Sequence, residues 1–332
     1  MERRDNLKKF YLTISVLLIF IISIFLIYNN NNKKNNNITV AEVTHSVFYA
    51  PFYVSIHNGY FKEEGLDVNV ILTSGADKVA SSVLSGDAQI GLSGLESTLY
   101  IYDNGAKDYL VSFSSLTKRD GQFLFGDCDL KDKFKLEDLK GKSVLVGRKG
   151  GMPAMVFAYA LYKNGITEGV TLDTSVEFAS LPGAYIAKTG DFVNLFEPTA
   201  TSLEKEGVGC VLSSVGQIAG ELPYTVFHTK KSYLENNEKT LEKFTKAIRK
   251  GLQFVRDNDA KTIAKTIQNE FSDTSLEDLE KVINRYKDAD SWYTDTLINE
   301  EAYNNLLELM EYNQALENRY DFNILVDNRF NE

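Results

Sequence analysis

Residues 38–72 read ITVAEVTHSVFYAPFYVSIHNGYFKEEGLDVNVIL, and residues 86–94 read GDAQIGLSG. The first stretch opens on an apolar run, Ile38 to Val43, whose pattern predicts a buried strand. It passes through an aromatic loop, Tyr49-Ala50-Pro51-Phe52, into a helix that closes at Asn58-Gly59. Asp67 to Leu72 then alternates into a second strand. Ala88 to Leu92 is a third, opened by Gly86-Asp87 and ended by Ser93-Gly94. Strand and helix taking turns in this way predict a parallel α/β sheet. Such sheets bind ligands in the crevice beyond the carboxyl ends of their strands. The stretch is therefore expected to form the floor of a ligand site.

Working outward, Asp77 to Leu84 and Leu95 to Tyr102 are predicted helices, and Tyr109 to Ser114 a strand. A second α/β set follows, with strands expected at Gly121 to Phe125, Ser143 to Gly147, Ser175 to Phe178, Asp191 to Phe196 and Gly209 to Ser213. Its longest helix runs from Ala154 to Asn164, and Pro153 suits the first turn, where a missing N–H costs nothing. Tyr224 to Thr229 is one more strand. Beyond Ser232 the pattern turns helical: Leu241, Phe244, Ile248, Leu252 and Val255 form one apolar face. Thr274 with Glu277 resembles a capping box before Leu279, Ile283 and Tyr286. Two α/β lobes followed by helices that must pack back imply a discontinuous first lobe, residues 38–117 and 215–332, around a second at 118–214. Two crossings between lobes make a hinge, whose usual use is closure on a trapped ligand.

Ahead of this lies Phe10 to Tyr28, 19 uncharged residues with only small polar breaks such as Thr13 and Ser23. That length suffices for a helix to cross about 30 Å of hydrocarbon. Arg3, Arg4, Lys8 and Lys9 precede it and place residues 1–9 in the cytoplasm. The run is long for a secretory signal and has no Ala-x-Ala-like site near its end, so it reads as an uncleaved transmembrane anchor, a cleaved signal being the alternative. Residues 29–37, all Asn and Lys in the first eight and closing on Asn37, read as a solvated tether.

The formal charge is −10 over 332 residues, with 36 Lys and Arg against 46 Asp and Glu. Clustered basic residues, which nucleic-acid binding requires, are missing from such a composition, so no nucleic-acid partner is expected. Cys128 and Cys210 are the two cysteines; in an exported chain they could pair, and two isolated thiols are the alternative. His45, His57 and His228 are scattered and give no metal-site spacing.

Pro51-Phe52-Tyr53-Val54 through Gly59-Tyr60-Phe61-Lys62-Glu63-Glu64-Gly65-Leu66-Asp67-Val68 carry a resemblance. So do Gly86-Asp87-Ala88-Gln89-Ile90-Gly91, Leu139-Lys140-Gly141-Lys142-Ser143-Val144 and Phe196-Glu197-Pro198. Together they resemble ABC-transporter solute-binding proteins of the nitrate/sulfonate/thiamine-precursor (NMT1/THI5-like) group, and the likeness runs from Ile38 to the C-terminus. It implies a type II periplasmic-binding-protein fold, two α/β lobes with the ligand in the cleft. It also implies delivery of solute to ABC permease subunits with a cytoplasmic ATPase; with residues 10–28 as anchor, the chain is expected to be a monomer at the outer face of the cytoplasmic membrane. The chain departs from the lipid-tethered form of that group in having no acylatable Cys after its apolar run.

The loops after strands supply the candidate ligand residues. Tyr49 and Phe52 could stack on a flat ring, and Ser74, Gly75, Ser93 and Gly94 offer hydroxyls or close backbone approach. Glu96 is a carboxylate at a helix start. From the second lobe come Gly150, Gly151 and Met152, whose spacing is not that of a P-loop, then Phe178 and Glu197. Glu197, at a strand end before Pro198, is the strongest candidate to hold an amine through a charge-assisted hydrogen bond, with helix capping as its other reading. Two carboxylates tilt the expected ligand toward an amine-bearing ring such as a thiamine-precursor pyrimidine, with sulfonate or nitrate as the alternative. A membrane-anchored sensory ectodomain is a rival of another class, although nine residues before the span leave no room for an output domain. The fold of this group also hosts a pyrimidine-forming enzyme, but that relative needs a cysteine-rich cluster that two cysteines cannot make. No enzyme and no cofactor are expected.

Overall fold

The computed structural model describes residues 36–331 apart from Ser74, together with Ser23. The expected transmembrane anchor at 10–28 and nearly all of the tether lie outside the described residues. Among the described residues, no helix is long and apolar enough to cross a membrane.

The chain begins with β1 (Asn37–Glu42), α1 (Ala50–His57), α2 (Tyr60–Glu63), β2 (Asp67–Leu72), α3 (Ala76–Ser85), β3 (Ile90–Ser93), α4 (Glu96–Asp103) and β4 (Leu110–Thr117). It then crosses to β5 (Phe123–Gly126), β6 (Lys142–Leu145), α5 (Met152–Lys163), β7 (Val170–Asp173), α6 (Leu181–Ile186), β8 (Phe192–Leu195), α7 (Thr199–Lys205), β9 (Cys210–Ser214) and α8 (Val215–Ala219). It returns as β10 (Thr225–Lys230) and finishes in helices α9 (Lys231–Asn236), α10 (Glu238–Asp257), α11 (Ala260–Ile267), α12 (Leu276–Asp288), α13 (Glu300–Tyr312) and α14 (Phe322–Leu325).

Among the described residues two five-stranded sheets result, ordered β2-β1-β3-β10-β4 and β7-β6-β8-β5-β9. In the first, β1 runs parallel to β2 and β3, with Ile38 opposite Val68 and Val40 opposite Ile90, while β10 is antiparallel to both β3 and β4. In the second, β6 is parallel to β7 and β8, and β5 is antiparallel to β8 and β9. The α/β class and the periplasmic-binding-protein architecture of two sheets follow. Each sheet turns the carboxyl ends of its parallel strands toward the other, which is where the chain crosses.

Local chemistry sets the element ends. Gly86 caps α3 at φ +90°, a left-handed conformation that a side chain would strain. Ser275 accepts from Asp278 N at 3.1 Å and so caps α12, one residue later than the Thr274–Glu277 box expected from the sequence. The strand expected at Ser175 to Phe178 is in fact β7, five residues earlier. Asp173 Oδ1 accepts from Ser175 N and Oγ at 2.8 and 2.6 Å, an Asx turn that stops the strand, and Phe178–Ser180 winds into a 3₁₀ turn.

The return helices seal the first sheet. Leu241, Phe244, Ile248, Leu252 and Val255 of α10 are buried, as their spacing predicts. This helix approaches α1 so closely that a Cβ on Gly251 would lie 2.1 Å from Ser55 Oγ. Ser55 Oγ meanwhile donates to Ala247 O at 3.0 Å. In the second lobe Cys128 and Cys210 form a disulfide, joining the turn after β5 to the start of β9. The question left open by the sequence is answered by the register, which sets Gly126 opposite Cys210.

Candidate functional site between the sheets

The loop after β1 folds because Ser46 caps a 3₁₀ turn, accepting from Phe48 N at 3.2 Å. The turn delivers the Phe48 ring to the space between the sheets. There it meets Phe196 at 5.7 Å, Tyr224 at 5.8 Å and Tyr286 at 5.2 Å. Trp292 Nε1 fixes it from behind by donating to Phe48 O at 2.8 Å. Phe178 extends the row from the second lobe, its ring 5.5 Å from Phe196 and 37% exposed. Rings from both lobes thus share one wall.

A set of buried polar groups stands beside them. The Glu96 carboxyl, at the start of α4, folds back over Gly94, where a Cβ would overlap it. Burial pushes this carboxyl up to about 8. Asp120, on the segment crossing between the sheets, is likewise raised by burial to about 7; its Oδ1 accepts from Gln122 N at 2.6 Å, and the Tyr224 phenol lies beside it. Burial raises the pKa of the Tyr49 phenol, the Glu42 charge adds to the rise, and the Thr225 side chain works against it.

Gln122 and Asn194 complete the set. Both are wholly buried, and both atoms of each carboxamide lack a hydrogen-bond partner among the described residues, as do Glu96 Oε2 and Asp120 Oδ2. Leu124 faces Asn194 across the β5–β8 pair, so continuing the register by two residues puts Gln122 on the same face, one diagonal step from Asn194. A buried carboxamide left unpaired costs about 1–3 kcal/mol. Such groups in a native fold are usually completed by water or ligand.

The expected site residues divide accordingly. Tyr49 and Glu96 are buried on the segments after β1 and β3, with the Glu96 carboxyl against Gly94, and buried Met152 opens α5 in the second sheet's half. Phe178 lies at the rim. Ser93 is buried, with its hydroxyl engaged by His228 Nε2 at 2.9 Å and Ser97 Oγ at 3.1 Å. Phe52 is turned into the core, against Phe61 and Phe227. Gly75 borders the rim, near the ion pair of Asp77 and Arg148 at 3.0 Å that joins the lobes there. Gly150 is exposed, and Gly151 caps α5. Ser74 lies outside the described residues.

Glu197 is wholly buried, and both its carboxylate oxygens are taken inside the protein. One accepts from Thr201 N at 2.9 Å; the other accepts from Thr201 Oγ1 at 2.9 Å and pairs with Arg285 Nη1. Its backbone joins in: Ser46 Oγ donates to Glu197 O at 3.0 Å, and Glu197 N donates to the Tyr286 hydroxyl at 3.2 Å. The second arm of Arg285 reaches Glu204 at 2.7 Å, where Lys281 also lies at 2.8 Å. Burial works against the Glu204 charge, but these two cations win and hold its carboxyl down at about 2. Glu197 therefore caps α7 and ties it to α12, rather than presenting a free carboxylate.

Sequence reasoning missed Asp120, Gln122, Asn194 and Tyr224. One signal was available: Asn194 interrupts Phe192-Val193-Asn194-Leu195, a strand whose every residue is buried. A polar residue on an inward position needs a partner, and none is written in its neighbours.

Comparison with known proteins agrees with the two-sheet architecture. A family model described as NMT1/THI5 like matches residues 47–262. A Bacillus subtilis (strain 168) protein named "Putative binding protein YtlA" is 44% identical over 297 residues, covering 89% of each chain. Among solved structures, the alkanesulfonate-binding protein SsuA from Xanthomonas axonopodis pv. citri superposes with a TM-score of 0.69 at 14% identity, over 88% of this chain and 98% of that one. The nitrate-binding protein NrtA from Synechocystis PCC 6803 gives 0.59 at 16% identity, over 81% and 74%. At these identities the solved structures speak for the fold alone, whereas the family model spans most of the chain: the protein belongs to the NMT1/THI5-like family.

Proposed function

We propose that the chain is the extracytoplasmic solute-binding component of an ABC importer, and that it works by capture rather than chemistry. A small organic solute would enter between the lobes, 38–117 with 215–332 on one side and 118–214 on the other. Hinge closure follows because only the closed state contacts the solute from both sides. Family membership supports the class. The observation that carries the site is the convergence, between the two sheets, of aromatic rings from both lobes with buried polar atoms that have no hydrogen-bond partner among the described residues. Tyr49, Gly94, Glu96, Met152 and Phe178 are the ligand-facing residues this reading takes from the sequence.

An amine-bearing ring, such as a thiamine-precursor pyrimidine, suits the aromatic wall and the carboxyls of Glu96 and Asp120. A sulfonate or nitrate ligand is the second reading, favoured by the names of the two solved neighbours. Residues 10–28 would hold the chain at the outer face of the membrane, where permease subunits and their cytoplasmic ATPase take over the solute. A thermal-shift screen of residues 38–332 against aminopyrimidines, alkyl sulfonates and nitrate tests the class. Ligand at 100 times its dissociation constant adds about 2.7 kcal/mol of stability. X-ray scattering tests closure: an unchanged radius of gyration at saturating ligand would sink the hinge.

A further inference from the structure

Gln122 and Asn194 stand on one face of the second sheet with four unpartnered amide atoms between them, and Asp120 precedes Gln122 by two residues. A carboxamide presents a donor and an acceptor side by side. An oxyanion offers acceptors only, so it would satisfy the two NH₂ groups and leave both carbonyl oxygens facing like-signed oxygen.

A buried oxyanion would also need a cation or several aimed N–H groups. Three basic side chains on the elements around the cleft have acidic partners. Arg148 is paired with Asp77 at the exposed rim and Arg285 with Glu197 and Glu204, while Arg119 reaches the exposed Asp290 through one arm and its buried Nε has no hydrogen-bond partner among the described residues. A solute carrying its own adjoining N–H and acceptor fits these groups without a counter-ion, and its remaining N–H can face a carboxyl.

We propose that Gln122 and Asn194, with Asp120 beside them, are the specificity-determining residues of the cleft. They select a solute with a paired donor–acceptor edge, such as an amidine, amide or aminopyrimidine edge, and reject simple oxyanions. The inference rests on the solute-binding reading given above and names the recognition groups within it.

The test uses the residue 38–332 chain with 4-aminopyrimidine, cytosine and nicotinamide as donor–acceptor probes and ethanesulfonate as the anionic one. At least one donor–acceptor probe raises the melting temperature of the wild type, and ethanesulfonate does not. Gln122→Met and Asn194→Leu each weaken that probe tenfold or more by calorimetry. The empty variants melt no lower than wild type, because each substitution removes unpaired buried amide atoms. The proposal is overturned by a shift with ethanesulfonate alone, by no shift with any donor–acceptor probe, or by variants that keep full affinity. A lowered melting temperature with unchanged affinity would also make the two amides structural. Binding of a donor–acceptor probe without compaction in scattering leaves this proposal standing while the hinge reading falls.

Discussion

Arg285 of α12 and Glu197 of the second lobe form a buried ion pair that joins the two halves of the molecule, with Thr201 completing the carboxylate's hydrogen bonds. Glu197 is inaccessible to solvent, so the pair answers to the energetics of buried charge, where loss of one partner strands the other. Arg285→Met should cost about 3–5 kcal/mol of unfolding free energy, by denaturant titration. The double variant with Glu197→Gln should recover part of that loss. Equal stability of wild type and Arg285→Met would remove the pair from the account of what holds the lobes together.

Glu96 and Asp120 make stability depend on pH. Both carboxyls are raised by burial, to about 8 and about 7. The folded state therefore binds protons more tightly than the unfolded chain, whose carboxyls titrate near their ordinary values of about 4. Their contribution is whole below pH ~4 and is lost as pH rises through about 7 for Asp120 and about 8 for Glu96. Melting temperature should accordingly fall between pH 5 and pH 9, on the order of a few degrees. Glu96→Gln with Asp120→Asn should flatten the slope in that window, and an unchanged slope would place the titrating groups elsewhere.

The disulfide closes a loop of sequence separation 82 within the second lobe. Replacing both Cys128 and Cys210 by Ala should lower stability by about 2–5 kcal/mol. Reducing agent should lower the wild-type melting temperature toward that of the double variant and leave the variant itself unmoved.

Gly251 leaves no room for a methyl group, since its Cβ would sit 2.2 Å from Pro51 O as well as against Ser55. Gly251→Ala should destabilise by about 1–3 kcal/mol despite the better helix propensity of alanine. A neutral or stabilising result would mean that α1 and α10 separate freely.

How far the sequence carried varies by element. The apolar strands around Val40 and Ile90 and the stripe of α10 were legible because burial on one face leaves a period in the chain. Strand ends were less so: the Asp173–Ser175 turn acts through one carboxylate, which shifts β7 without altering the hydrophobic pattern. The cleft was half legible. Tyr49 and Glu96 follow strands and declare themselves by position, but the fate of Glu197 depended on Arg285, 88 residues further on. Gln122 and Asn194 come together only through the β5–β8 register, which pairing decides and local propensity does not.

The placement of β10 has a consequence for how the molecule is made. All five strands of the second sheet lie between residues 123 and 214, a single uninterrupted piece of chain. In the first sheet, β4 is joined to β3 only through β10, which arrives more than 100 residues after β4 has ended. During synthesis from the N-terminus, the first lobe must wait, with strand edges unpaired, while the second completes itself. The lobe that begins the chain is the last to mature, and a stall anywhere before residue 230 leaves an open sheet exposed to aggregation and proteolysis.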